Sequence, residues 1–527
     1  MKVVLAEKVS PATLAVFQAE AGWEVLTHDQ VKNLSEAVAN ADALVVRSAV
    51  QVDDALMAVA PNLRVIGRAG IGVDNIDAEA ATRRGIVVMN TPGANAIAVA
   101  ELALGLMIAL ARQLPRADST MHAGKWEKKS LQGSELRGKK LGILGLGRIG
   151  LEVARRARNF GMELLGHDPF VSASIARENA IRLVSAEELF SLSDYLTLHV
   201  GLTPQTEGII NATSLATMKK GVRIVNCARG ELVVESDLAN ALKSGQVGGA
   251  ALDVFHEEPP KNSPFAALDN VILTPHIAGS TAEAQEAVGI QIALQVREYL
   301  KSGVAQNAVN MPSLSHEEYQ ELAPWMILAE RLGTFLAQVP RGSIDSIQIT
   351  YHGRLAETKT ELIRNCAIAG VLGHLEQVNR INAASVAAER GIRLHEEKKE
   401  SPLAGAGSVL QLSLHTNEAT ISASGAILHG DSPRLLHLDG IDIEAPLQGT
   451  LLTIRNRDVP GVIGRVGTIL GEHNINIANF ALGRSDGRDA APATALAVVQ
   501  IDGDVTDAVL RELRAVPAIT GVRLVTL

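Results

Sequence analysis

The run Gly145-Leu146-Gly147-Arg148-Ile149-Gly150 constrains this chain more than any other feature. It closes an apolar run, Leu141-Gly-Ile-Leu144, and opens a segment with a helical pattern, Leu151 to Gly161. A strand feeding a glycine turn and then a helix is the context of a dinucleotide-binding fingerprint. Of its three glycines, one makes the tight turn, one lets backbone approach a pyrophosphate, and one lets the helix pack against the strand. Free N–H groups and the positive dipole end at the start of the helix then face the phosphates. A second apolar run ends in Asp168, 23 residues after Gly145, close to the expected spacing of about 20 for an acid that binds the ribose hydroxyls. A glycine turn that binds nothing is the bland alternative. Strand, helix and acid in register favour a nucleotide site. The carboxylate favours NAD over NADP, because it would repel a 2′-phosphate and no arginine follows in His167-Asp-Pro-Phe170.

The surroundings fit that unit. Up to about residue 300, short apolar runs alternate with amphipathic stretches, which indicates parallel sheets covered on both faces. Val3–Ala6, Ala43–Arg47 and Val65–Gly70 come before a helical segment, Ala96 to Arg112. Strand candidates then recur at Leu141–Leu144, Met162–Gly166, Tyr195–Val200, Arg223–Asn226, Ala250–Val254 and Val271–Leu273. A helix over Glu283–Lys301 returns the chain to the first unit. From Asn307 the character changes to mixed strands (Ser346–Tyr351, Val409–His415) and helices (Thr360–Leu375), with a charged turn at His395–Glu400 and a linker at Pro446–Gly449. The end reads βαββαβ, with strands at Thr450–Arg455, Asn476–Leu482, Ala493–Ile501 and Gly521–Thr526, the order of small ligand-sensing modules. At 527 residues about three or four domains are expected.

Charge and cysteine usage exclude several classes. A net charge of −9 leaves no excess of cations for a sequence-independent nucleic-acid binder. The most apolar stretch, Leu102–Ala111, is far shorter than the roughly 20 residues of a membrane span, so no membrane is expected. Cys227 and Cys366 make neither a disulfide framework nor a metal-spaced set, which fits a cytoplasmic protein without a metal.

Three residues downstream of the fingerprint suit the oxidation of an alcohol: Arg229 in Asn-Cys-Ala-Arg-Gly, Glu258 in His-Glu-Glu-Pro, and His276 in Thr-Pro-His-Ile-Ala-Gly. Removing a hydride from a carbinol carbon needs a base for the hydroxyl proton, and histidine titrates near working pH. A carboxylate beside it fixes the tautomer, and an arginine holds a substrate carboxylate through two parallel hydrogen bonds. Each follows an apolar strand, at the end where open α/β sheets bind ligands. Alone, each reads as well as a surface ion-pair partner, a solvated acid or a loop histidine; their joint placement after a nucleotide fingerprint carries the argument.

At these residues the chain resembles the D-isomer-specific 2-hydroxyacid dehydrogenases, and within them the long, tail-bearing branch that acts on phosphoglycerate. The resemblance rests on Gly67–Asn75, Met89–Gly93, Gly138–Gly150, Asn226–Gly230, Leu252–Pro259 and Thr274–Gly279. It implies two doubly wound α/β domains, a Rossmann-type NAD domain (residues 96–280) inserted in a flavodoxin-like substrate domain (1–95 plus 281–306). An α+β intervening domain (307–446) and a βαββαβ ACT domain (450–527) would follow. Arg229, Glu258 and His276 take the family's catalytic positions. Cofactor contacts carried over are Gly145, Gly147, Gly150, Arg148, Ile149, Asp168, Cys227, Ala228, Arg229, Asp253, His276, Ile277, Ala278 and Gly279. Ile71 and Val200 stand where the family often has threonine. The implied reaction is NAD-dependent oxidation of 3-phospho-D-glycerate, the entry to serine synthesis. Another 2-hydroxy acid (lactate, glyoxylate or 2-hydroxyglutarate) and a non-catalytic NAD-sensing scaffold are the rivals.

Arg47 and Arg68, at the ends of apolar strands, are the candidates for the substrate phosphate, against a plain surface role. Asn456, Asp458 and Asn476 match positions where ACT domains bind L-serine between chains; the alternative is that they are turn residues. A homodimer or homotetramer is implied.

Overall fold

The computed structural model describes residues 1–339, 342–373, 378–403, 407–485 and 494–527. Strands β1 (Lys2–Leu5), β2 (Glu24–Leu26), β3 (Ala43–Val46), β4 (Val65–Arg68) and β5 (Val87–Met89) form a parallel sheet in the order β2-β1-β3-β4-β5. Every residue of β3 and β5 is buried, as expected of Val- and Leu-rich strands covered on both faces. Thr281 caps the helix Ala282–Ser302 with its hydroxyl accepting from the Ala284 N–H. This helix comes back to the first sheet, where Val288, Ile292 and Val296 share a core with Val3, Val65 and Val87.

Between these pieces lies a second sheet. Strands β6 (Lys140–Leu144), β7 (Glu163–His167), β8 (Ile181–Leu183), β9 (Tyr195–Leu198), β10 (Val222–Asn226), β11 (Val247–Leu252) and β12 (Val271–Leu273) are all parallel, in the order β12-β11-β10-β9-β6-β7-β8. The winding direction reverses between β6 and β9, and ligands of such sheets bind outside the strand carboxyl ends at that point. The helix Ala96–Arg112 packs here: Val99, Ala103 and Met107 share a core with Leu141 and Val153. Among the described residues no single helix is long and apolar enough to cross a membrane.

A third sheet contains β13 (Ile344–Gly353), β14 (Arg393–Lys399), β15 (Ser408–Thr416), β16 (Thr420–Leu428), β17 (Ser432–Leu438) and β18 (Ile441–Pro446), in the order β14-β13-β15-β16-β17-β18. The charged segment His395–Glu400, read as a turn from sequence, is a strand through Lys399: β14 runs parallel to β13 at the sheet edge. Charged side chains on an edge strand discourage pairing with other chains, which is why this run lacks the alternation of a half-buried strand. The fourth sheet is antiparallel, β20 (Asn476–Arg484), β21 (Thr494–Asp502), β19 (Thr450–Arg457) and β22 (Ile519–Thr526) in that order. Helices Val462–Glu472 and Asp507–Ala515 complete the βαββαβ unit. Ala493, the expected start of its third strand, lies outside the described residues, as does the end of the helix expected over Thr360–Leu375, which runs Glu361–Leu372.

Candidate active site

The glycine turn follows β6 directly, at the winding reversal. Gly145 has φ +95°, and a Cβ there would come 2.5 Å from the His199 carbonyl oxygen. A Cβ on Gly150 would come 2.0 Å from the Gly145 carbonyl oxygen, so only glycine lets this helix approach its strand. At Gly147 a Cβ would meet nothing within 4 Å, which leaves the face of the turn open for a pyrophosphate. Asp168 sits just past β7 with its carboxylate drawn to the turn. Leu146 N–H donates to Oδ2 at 2.8 Å and Phe170 N–H to Oδ1 at 2.8 Å. A carboxylate has about four acceptor sites, so each oxygen keeps capacity for a ribose hydroxyl. These residues therefore fit a dinucleotide.

Beneath the turn, His199 is half-buried, and burial pulls its pKa down to about 4, so the ring stays neutral; its Nε2 meets Thr197 Oγ1 at 2.8 Å. Arg148 reaches across to the first unit, where it donates to the Pro92 carbonyl. Ile149 packs against the second core. The segment after β10 is a tight turn: Ala228 N–H donates to Asn226 Oδ1 at 3.0 Å, and Asn226 Nδ2 to the Arg229 carbonyl at 2.8 Å. Burial, and then the Asp253 charge, push the Cys227 thiol up, which makes it a packing residue rather than a nucleophile.

The three catalytic candidates lie after β10, β11 and β12, which are adjacent in the sheet. His276 Nδ1 and Glu258 Oε2 are 2.6 Å apart, and Glu258 Oε1 accepts the Phe255 N–H at 3.1 Å. With Nδ1 engaged, His276 Nε2 is the atom that can meet a substrate. His276 has φ +51°, an uncommon conformation outside glycine that persists only where neighbours impose it. Asp253 is the neighbour that imposes it. Fully buried, it accepts from Thr274 Oγ1 at 2.6 Å, Ile277 N–H at 2.9 Å and Ala278 N–H at 2.8 Å. Gln285 Nε2 ties down the loop's far end at the Gly279 carbonyl, 2.8 Å away. Asp253 thus grips the histidine loop on both sides of His276, a role the sequence did not reveal.

Arg229 reaches toward the first unit. Its Nη1 donates to the Ala228 carbonyl at 2.7 Å and its Nη2 lies 3.1 Å from Asp74 Oδ2. Asp74, within Gly67–Asn75, carried no role in the sequence reading. Arg68 ends β4 with its Nε buried and without a hydrogen-bond partner among the described residues. Burial, and next the Arg229 charge, lower its pKa, while Asp74 opposes them; a guanidinium remains charged regardless. Arg47 also bears on Arg68 electrostatically, although its Nη1 is spent on the Lys8 carbonyl at 3.3 Å. The structure thus shows two associations, Arg68 with Arg229 and Arg47, and Glu258 with His276, on loops that follow neighbouring strands.

The ACT candidates do not converge within one chain. Asn476 pairs with Asp502 at one end of the fourth sheet, and Asn456 with Ala495 at the other, a separation of about 20 Å at a strand rise of roughly 3.3 Å per residue. Asn456 donates to the Arg457 carbonyl, Asp458 pairs with Arg484 at 3.2 Å, and Asn476 donates to Asp502.

Comparisons with known proteins accord with this architecture. Residues 104–278 match the family described as D-isomer specific 2-hydroxyacid dehydrogenase, NAD binding domain. Residues 321–439 match the D-3-phosphoglycerate dehydrogenase intervening domain, and residues 450–518 the ACT domain. D-3-phosphoglycerate dehydrogenase of Methanocaldococcus jannaschii is 40% identical over 530 residues, covering 100% of both chains. The enzyme of that name from Bacillus subtilis is 35% identical, covering 100% of this chain and 99% of the relative. Among solved structures, a glyoxylate reductase from Paecilomyes thermophila aligns with a TM-score of 0.54 at 31% identity, covering 59% of this chain and 98% of its own. D-lactate dehydrogenase from Escherichia coli aligns at 0.52 and 29%, covering 59% and 100%. The family matches in three successive segments, and the full-length relatives agree with them: this chain belongs to the D-3-phosphoglycerate dehydrogenases, within the D-isomer-specific 2-hydroxyacid dehydrogenase family.

Proposed function

We propose that the chain oxidises 3-phospho-D-glycerate to 3-phosphooxypyruvate with NAD, the entry reaction of L-serine synthesis. The observation that carries this reading is the Glu258–His276 pair at 2.6 Å, on strand-end loops next to the one that carries Arg229. NAD, when bound, supplies the hydride acceptor; Gly147, the start of the helix Arg148–Asn159 and Asp168 would hold its pyrophosphate and ribose. Arg229 takes the substrate carboxylate through two parallel hydrogen bonds. His276 accepts the hydroxyl proton at Nε2 as the carbinol carbon gives up its hydride. Glu258 keeps Nδ1 protonated and stabilises the imidazolium that forms. Arg68, with Arg47 beside it, meets the phosphate dianion, whose charge relieves the repulsion between Arg68 and Arg229. NADH formation with 3-phosphoglycerate, compared with lactate, glycerate and 2-hydroxyglutarate, tests the assignment. A higher kcat/KM on a phosphate-free acid would overturn it.

L-serine is the proposed effector. Because Asn476 lies at the far end of the sheet from Asn456 and Asp458, a site using all three needs Asn476 from a second copy. A homodimer or homotetramer in the cytoplasm fits this. It also fits the helix Leu114–His122, which has no buried residue, with Met121 and Trp126 exposed near it. Light scattering of the full chain and calorimetry with L-serine test both statements; a monomer that binds no serine would sink them.

A further inference from the structure

The charges of Arg229, Arg47, Asp74 and Glu7 all bear on Arg68, the two arginines repelling it and the two carboxylates attracting it. The two acids are held differently. Glu7 is fixed by backbone amides: its Oε1 accepts the Arg47 and Val50 N–H groups at 2.8 and 3.2 Å, and its Oε2 the Ala49 N–H at 3.4 Å. Asp74 instead reaches from the first unit to the second, where its Oδ2 lies 3.1 Å from Arg229 Nη2. The loop is shaped for this contact. A Cβ on Gly72 would come 2.0 Å from Arg229 Nη2 and 2.6 Å from Asp74 Oδ2, so only glycine at this position admits the guanidinium. The backbone is tied on both sides of Asp74. The Gly70 carbonyl accepts the Thr91 N–H at 2.9 Å, the Ile71 carbonyl accepts Asn90 Nδ2 at 2.6 Å, and Asn75 Nδ2 donates to the Val50 carbonyl at 2.6 Å. What can move is the Asp74 side chain, 69% exposed, whereas that of Arg229 is 26% exposed and bonded through Nη1 to the Ala228 carbonyl.

We propose that Asp74 is a stand-in for the substrate's carboxylate: it holds Arg229 in the resting enzyme and is displaced when the substrate's own carboxylate arrives. The inference rests on the reading of Arg229 as the residue that takes that carboxylate. It makes Asp74 a positioning residue, which acts through Arg229 and touches no reacting atom. A partly buried guanidinium without a counter-charge is unfavourable, and Arg68 adds repulsion. With Asp74 in place, Arg229 keeps a counter-charge and stays directed across the domain boundary. Substrate binding then exchanges one carboxylate for another, and the released Asp74 side chain turns into water. An exposed ion pair is worth only about 1.5- to 5-fold in an equilibrium, so the exchange lowers substrate affinity by no more than that. The same device discriminates between ligands. A phosphate ester without a carboxylate leaves Asp74 on Arg229, where its charge repels the ester's phosphate.

Kinetics of the full chain test this with Asp74→Asn, an isosteric and neutral replacement at an exposed position. KM for 3-phosphoglycerate should fall by about two- to fivefold, while kcat changes by less. Glycerol 3-phosphate, which has the phosphate and no carboxylate, serves as a competitive inhibitor, and its Ki should change less than that KM. Arg229→Lys separates this inference from the reading beneath it. An unchanged KM in Arg229→Lys would overturn both. A raised KM there, with KM in Asp74→Asn unchanged or raised, would overturn the stand-in role alone. So would an equal or larger gain for glycerol 3-phosphate, because it would show a field acting on every anion in place of an exchange on Arg229.

Discussion

Asp253 offers the sharpest test of how the histidine is held. Consider Asp253→Asn, which keeps the shape and removes the charge. The carboxylate takes two backbone N–H groups on different oxygens, Ile277 on Oδ1 and Ala278 on Oδ2, with the Thr274 hydroxyl also on Oδ1. An amide must place its NH2 on one side or the other. The Thr274 hydroxyl can turn to accept; a backbone N–H cannot. One of the two loop amides therefore faces a donor in either orientation. Losing a hydrogen bond to a charged group costs about 1.5–3 kcal/mol, so opening of the loop becomes roughly 10- to 150-fold easier. Hydrogen exchange at the Ile277 and Ala278 amides should accelerate by that factor. Because His276 lies between Thr274 and Ile277, turnover should fall by about 10- to 100-fold, as expected for a displacement near 1 Å at a reacting group. Cofactor binding at the glycine turn should change little. Exchange at those amides and turnover within about twofold of the parent would refute the idea that Asp253 sets the histidine loop.

Four further outcomes follow from the geometry. His276→Ala should lose about 10²–10⁴-fold in kcat with NADH affinity retained; near-normal turnover would remove it as the base. Arg229→Lys should raise KM by about tenfold or more, because an ammonium cannot make the two-pronged contact, and an unchanged KM counts against a carboxylate role. NAD should be preferred over NADP, with Asp168→Ala narrowing the ratio by about tenfold; equal efficiency in the parent enzyme would contradict that. Truncation after Gly449 should yield aggregated protein, because it strips Leu451, Leu496, Val498 and Val525 from a shared core, about 6–12 kcal/mol at 1.5–3 kcal/mol per side chain. A soluble, monodisperse product would show that this core closes without them.

Signals that are local in the chain were legible in the sequence, and signals that depend on register were not. The strand–glycine–helix unit around Gly145 carries its whole argument within about 30 residues, and the structure places it at the winding reversal. Glu258 and His276 are 18 residues apart, and only their chemistry suggested that they meet. For Asp253 the resemblance implies a cofactor contact; its hold on loop donors 21 to 25 residues later is a separate role. No pattern of residue types announces a carboxylate that will bind backbone amides. The charged run at His395 misled for a different reason: an edge strand with most side chains in solvent has no period-2 apolar signature. Likewise, Asn456 and Asn476 look close in sequence, but the antiparallel register of β19, β21 and β20 sends them to opposite ends.

The two joints of the C-terminal half differ in kind. Along β19 and β21 the residues alternate between two cores. Leu452, Ala497 and Val499 face the ACT helices, whereas Leu451, Leu496 and Val498 face the intervening domain, with Leu328, Leu332 and Leu447 in the same cluster. The ACT sheet is thus covered on both sides, and polar ties reinforce the seam: Arg331 to the Leu447 carbonyl at 3.0 Å, Gln338 to Thr526 at 3.1 Å, and the ion pair Arg455–Asp439. The joint with the first unit combines Ile381, which enters that unit's core, with Arg380, Asn379 and Asn382 bonding to its backbone carbonyls, beside a cavity. Apolar, close-packed interfaces resist shear, while polar and hollow ones permit relative motion. A ligand that reorders the ACT sheet therefore acts on the intervening domain's core directly. Its path to the first unit runs through the second joint, where Arg64 at the cavity directly precedes β4, whose last residue is Arg68.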